Sequence, residues 1–166
     1  MDMNPIRMVR AVTGMSQARL AAAAGTSQPT VAAYESEAKS PTWRTVVRAS
    51  GSVGLACYPW VGPAMTRDQQ RSLMLHVAIA AELAARPERV VAVARRNLAV
   101  MRTASAGAHA LLDEWERILR LPSSLVASRM LDPSDHGRDL RQVTPFAGIL
   151  DARSRAAIYR AFRTAS

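Results

Sequence analysis

The tightest constraint on this chain is the punctuation of residues 15–41, MSQARLAAAAGTSQPTVAAYESEAKSP, which admits only short helices. Ser16 has a hydroxyl able to cap a helix beginning at Gln17, because the first-turn N–H groups of a helix have no carbonyl partner of their own. Leu20 and Ala21 give that helix a buried face, and Gly25 breaks it. Ser27 opens a second helix in the same way, with Val31 and Tyr34 turned inward and Gln28, Ala32 and Ala33 on other faces. The segment is predicted to fold as two short helices joined at a glycine turn.

The flanking sequence extends the helical pattern. Ile6–Val12 reads as a helix before the pair, and Thr42–Ala49 as one after it, with Val46 and Val47 on the buried side. Gly51 and Gly54 end that pattern, and residues 55–61 mix β-branched, aromatic and small residues between glycines and prolines, as a short strand or an extended connector would. Thr66-Arg67-Asp68-Gln69 has capping-box spacing and precedes an apolar series, Leu73, Val77, Ala80 and Leu83, that stops at Pro87. Val90, Ala94, Leu98 and Met101 recur at helical spacing, as do Leu111, Leu112, Trp115, Ile118 and Leu119 before Pro122. Asp132-Pro133 and Asp151 read as two further helix starts, the last helix running through Ile158 and Phe162. The expected fold is all-α: a domain built on the paired helices at 1–54, a connector or short strand at 55–65, and a helical bundle at 66–166.

Charge narrows the class of partner. The formal net charge of +9 and a pI near 11.3 favour an anion, although Lys39 is the only lysine and the arginine bias, with abundant alanine, also fits a GC-rich genome. One cysteine, Cys57, excludes an intrachain disulfide and fits a reducing compartment. Arg7 and Arg10 interrupt the apolar N-terminal segment and Glu82 the apolar stretch 77–85, so neither reads as a signal peptide or membrane span, and a cytoplasmic protein is expected.

Two short helices around a glycine turn suit the DNA major groove. Through Ser16, Gln17, Leu20, Ala21, Gly25, Ser27, Gln28, Val31, Glu35 and Pro41 the segment resembles the Xre family of bacterial helix-turn-helix regulators, which includes the lambdoid phage repressors and Cro. The resemblance implies a lambda-repressor-like domain that binds an inverted-repeat operator in double-stranded DNA as a homodimer. It implies that Gln28, Pro29 and Ala33, the first, second and sixth residues of the recognition helix, face base edges. Of these only Gln28 can pair bidentately, with adenine, while Pro29 and Ala33 offer apolar contact to thymine methyls. Gln17, Ser27, Thr30, Lys39, Ser40 and Arg44 are implied to meet phosphates, and Arg10 and Glu35 to form a buried structural ion pair. Two positions depart from the family pattern: Glu37 stands where a glycine usually ends the helix in a left-handed turn, and Arg19 where a capping-box acceptor often sits.

No catalytic constellation accompanies this motif, so an enzyme is not expected, nor a metal or cofactor. His76, His109 and His136 lie in unrelated contexts, and His76 reads as a residue of a helix surface or polar seam. Cys57 reads as a small buried hydrophobe, and Asp113-Glu114-Trp115-Glu116 as a solvated face with Trp115 turned to the core. Arg95 and Arg96, and the run from Arg138 to Arg141, suit either a wider DNA footprint or an acidic protein partner. The turn around Pro145, Phe146, Gly148 and Ile149 suits either an interhelix turn with Phe146 in the core or an exposed recognition loop. The segments RSLMLHVAIAAEL, ARRNL, DEWERIL and RDLRQVTPFAGIL together look similar to C-terminal parts of Xre-type antitoxins. That resemblance implies a repressor of its own operon that neutralises a cognate toxin, with a nucleotidyltransferase-type toxin as the partner. The alternative is a stand-alone regulator whose second region dimerises or binds a small ligand.

Overall fold

The computed structural model describes residues 4–59, 61–104 and 109–163, and every regular element among them is a helix. Asn4 starts α1 (Pro5–Thr13), its side chain accepting from the N–H of Ile6 at 3.1 Å and of Arg7 at 3.2 Å, and Gly14 ends it at φ 65°. Ser16 caps α2 (Gln17–Ala23), Ser27 caps α3 (Gln28–Glu35) and Thr42 caps α4 (Trp43–Gly51), each hydroxyl accepting from the N–H three residues on. The α2–α3 turn passes through Gly25 at φ 62°.

Glu37 leads the chain out of α3 at φ 62°, the one non-glycine residue with positive φ among those described. Its N–H donates to the Tyr34 carbonyl at 3.2 Å, and the Lys39 N–H to Ala33 at 3.1 Å, so the turn is hydrogen-bonded although its residue is not glycine. The departure at this position thus takes the form of backbone strain, about 1–2 kcal/mol for an L-residue, and not of a longer helix.

Contacts divide the chain into two units, one running to Arg67 and resuming at Arg153, the other Asp68–Ala152. The first is built on Ile6, Val9, Leu20, Ala21, Ala24, Val31, Val46 and Ala49, with Tyr34, Val53, Leu55 and half-buried Cys57 against them. Val46 is buried but Val47 is 40% exposed, because adjacent helical residues point about 100° apart and Ala49 and Ser50 complete the inner face. Described residues of the connector form no strand, since nothing nearby offers a strand to pair with. The last helix, α10 (Ala152–Arg163), groups with this first unit from Arg153 on, whereas its position in the chain suggested the bundle. It buries Ile158, Ala161 and Phe162.

The second unit holds α5 (Arg67–Ala85), α6 (Pro87–Ala104), α7 (His109–Ile118), α8 (Ser123–Met130) and α9 (Asp135–Gln142). On α5 the fully buried residues are Met74, His76, Ala78, Ile79 and Leu83, while Leu73, Val77 and Ala80 are half-buried. The helix is apolar around most of its girth, so its own periodicity does not define the inner face. Trp115 and Phe146 anchor the core edge-to-face with ring centroids 5.3 Å apart, and the Trp115 indole N–H donates to the Leu140 carbonyl at 2.9 Å. Asn97 donates to the carbonyls of Pro145 at 2.8 Å and Ala147 at 2.9 Å, which holds the turn around Phe146 as an ordered interhelix connection with that ring inside.

Candidate nucleic-acid interface

Gln28 and Pro29 occupy the first turn of α3, and both are exposed. Proline is tolerated there because a first-turn N–H has no partner to lose. Ala33, on the same helix, is half-buried. The Ser27 hydroxyl accepts from the Thr30 N–H at 3.3 Å and lies 2.8 Å from the Thr30 hydroxyl, so these two side chains hold the helix start together.

A chain of polar contacts runs from this start into the unit. Glu35 is 5% exposed at the end of α3 and meets Arg10 of α1 side-on, with Nε–Oε1 at 2.6 Å and Nη2–Oε2 at 2.9 Å. The Gln17 amide donates to Glu35 Oε2 at 2.8 Å, and the Gln28 amide donates to Gln17 Oε1 at 2.8 Å. The direction of each bond follows from chemistry: a carboxylate only accepts, so Gln17 turns its NH₂ to Glu35 and leaves its carbonyl for Gln28. That bond uses one N–H of the exposed Gln28 amide and leaves its carbonyl and second N–H, the donor–acceptor pair that adenine's N6 and N7 require. Arg7 donates to the Glu35 backbone carbonyl. Burial alone would raise the Glu35 carboxyl, but the bonds from Arg10 and Gln17 and the charges of Arg10 and Arg7 outweigh it and hold the group below its ordinary value.

The link between Gln17 and Gln28 was not read from the sequence. Its signal is there all the same, since both glutamines open a helix, one on each side of the glycine turn. Lys39, Ser40 and Arg44 are exposed in the loop after α3 and the first turn of α4. Nothing beyond exposure distinguishes them.

In the second unit the structure corrects the arginine surfaces. Arg141 is 4% exposed, its guanidinium donating to the carbonyls of Met130 and Asp132, so it is a core residue and not a surface charge. Burial lowers its pKa from the usual arginine value. Arg138 pairs with Asp135 at 3.0 Å, Arg95 donates to the Leu119 carbonyl at 3.0 Å, and Arg96 is exposed. Asp113 and Glu116 are engaged by Arg102. His76 is 3% exposed, with Nδ1 donating to the Ser72 carbonyl at 2.8 Å and Nε2 accepting from the Thr144 hydroxyl at 2.9 Å. Burial, with the Arg141 charge adding to it against the Ser72 bond, lowers its pKa to about 4, so it is a neutral buried histidine. His136 lies on the surface 2.9 Å from Glu114, and the His109 side chain falls outside the described residues. Among the described residues no group of His, Cys, Asp and Glu could hold a metal, and no helix is long and apolar enough to cross a membrane.

No curated protein and no solved structure matches the chain closely enough to count as a relative. A family model does match: residues 6–50, covering α1 to α4, fit the helix-turn-helix family, and with that geometry the chain carries the DNA-binding domain of a transcription regulator.

Proposed function

We propose that the chain is a sequence-specific repressor that binds an inverted-repeat operator as a homodimer, reading bases with Gln28, Pro29 and Ala33 of α3 and holding phosphates with Gln17, Ser27, Thr30, Lys39, Ser40 and Arg44. The observation that carries this reading is the exposed Gln28 amide, held through Gln17 and Glu35 to Arg10. A base reader must present its donor and acceptor in a fixed orientation, and this relay supplies one. Phosphate contacts supply most of the affinity. We further infer that the second unit neutralises a toxin encoded beside this chain, of nucleotidyltransferase type. This part rests on the resemblance of residues 71–150 to antitoxin C-terminal segments.

Footprinting of the DNA upstream of the chain's own gene tests the first part. A protected inverted repeat with half-site centres about 34 Å apart, or a multiple of it, is the expected result. Absence of any protected repeat would overturn it. Co-expression with the adjacent gene product tests the second part: the chain should co-purify with that product and restore growth. Operator binding without either effect would make this a stand-alone regulator whose second unit dimerises or takes a small ligand.

A further inference from the structure

A cleft of about 540 Å³ opens within the first unit between α1, the α1–α2 turn and α10. Arg7, Arg10, Arg153 and Arg160 line it, with Glu35 as the one carboxylate among the described residues and Ser16 at its edge. Residues 153, 157 and 160 recur at helical spacing, so α10 presents two arginines on one face with Ala157 between them, where a small side chain leaves room. Arg153 and Arg160 are exposed, whereas Ile158 and Phe162 on the same helix are buried.

We propose that α10 completes the DNA-binding unit, and that Arg153 and Arg160 hold DNA backbone phosphates at this cleft. The inference rests on the reading of the first unit as a DNA-binding domain. Two features favour a duplex over a small anionic ligand. Glu35, which lines the cleft, is the same carboxylate that holds Gln17 and through it Gln28, so the cleft adjoins the residues proposed to meet DNA. No aromatic side chain among the described residues lines it, so none of them gives a nucleobase a face to stack on, whereas exposed guanidinium groups suit bare phosphate oxygens.

The test uses the full chain and a fluorescently labelled duplex of random sequence, because backbone contacts do not depend on sequence. Each phosphate neutralised contributes about 0.9 to the slope of log affinity against log salt. Losing two contacts in Arg153→Gln/Arg160→Gln should therefore flatten the slope by about 1.8, and the advantage of the unsubstituted chain should shrink about 12-fold between roughly 50 and 200 mM salt. Arg153→Lys/Arg160→Lys, which keeps the charge, should retain the slope. A matched pair off the cleft, Arg89→Gln/Arg155→Gln, should retain it too. The proposal is overturned if the glutamine pair leaves affinity and slope unchanged, or if it abolishes calorimetric binding of inorganic pyrophosphate while duplex binding persists. Failure of the unsubstituted chain to bind any duplex would instead remove the DNA-binding reading on which this one stands.

Discussion

Replacing Glu35 with glutamine preserves shape and removes the charge on which the first unit's polar relay converges. The Glu35 side chain is 7% exposed and accepts from Arg10 at 2.6 and 2.9 Å and from Gln17 at 2.8 Å. A neutral amide has one acceptor oxygen, and its NH₂ would face the donors of Arg10 or Gln17. Breaking a fully buried pair by removing one partner costs about 3–5 kcal/mol. The Arg10 side chain is 32% exposed, so water recovers part of its charge solvation, and the expected loss is about 2–3 kcal/mol. Urea unfolding followed by thiol labelling of Cys57, which packs against this unit's core, isolates the relevant transition. Linkage adds a pH signature. The folded-state pKa of Glu35 is lowered, so its contribution is present above the ordinary value of 4.5 and is lost as pH falls through the lower folded value. The advantage over Glu35→Gln should shrink below pH 4.5 accordingly. A double-mutant cycle with Arg10→Met should return a coupling above about 1 kcal/mol. Stability of Glu35→Gln within about 0.5 kcal/mol of the parent, or additive single effects, would refute the reasoning.

Gln28→Ala should cost about 1–3 kcal/mol per half-site and relax one base-pair preference, as measured by competition between operator variants. Gln17→Ala should blur that same preference, whereas Lys39→Ala should weaken specific and random duplexes alike. In the second unit, the folded state holds His76 neutral with a pKa of about 4, so the unfolded chain takes up the proton first, from its ordinary 6.5 downward. Stability is intact above 6.5 and should fall by about 2 kcal/mol between pH 7 and 5, read from Trp115 fluorescence, and His76→Gln should flatten that slope. Gly137 is buried where a Cβ would collide with Asp132, so Gly137→Ala should destabilise the same unit by about 1–3 kcal/mol in urea melts.

Local chemistry made the first four helices legible. Ser16, Ser27 and Thr42 cap where a hydroxyl precedes a helix, and Gly25 turns where a left-handed residue is required. Short or oddly punctuated elements were not legible. The sequence SSLVASRM, which forms α8 without a side-chain cap, is too short and serine-rich to show a period, and α9 starts after Ser134 and not at Asp132-Pro133. Charge was the least readable property. Arg138 and Arg141 are three apart on one helix, yet one meets an aspartate at the surface and the other lies in the core, because neighbouring helices decide which charges are covered. The seating of α10 with the first unit, and with it the arginines of the cleft, likewise depends on contacts between residues more than a hundred positions apart.

The separation of α10 from the rest of its unit sets an order in time. The ribosome makes α1 to α4 before α10, with the whole second unit in between. The helices that carry Gln17 and Gln28 can form before the second unit is made, but the wall of the cleft that bears Arg153 and Arg160 is made only after it. A nascent chain stalled in the second unit, or one trimmed by a carboxypeptidase as far as Asp151, has α1 to α4 without that wall. If Arg153 and Arg160 hold phosphates as proposed, grip on DNA reports that the polypeptide has been translated and kept through α10, while α5 to α9 survive the same trimming.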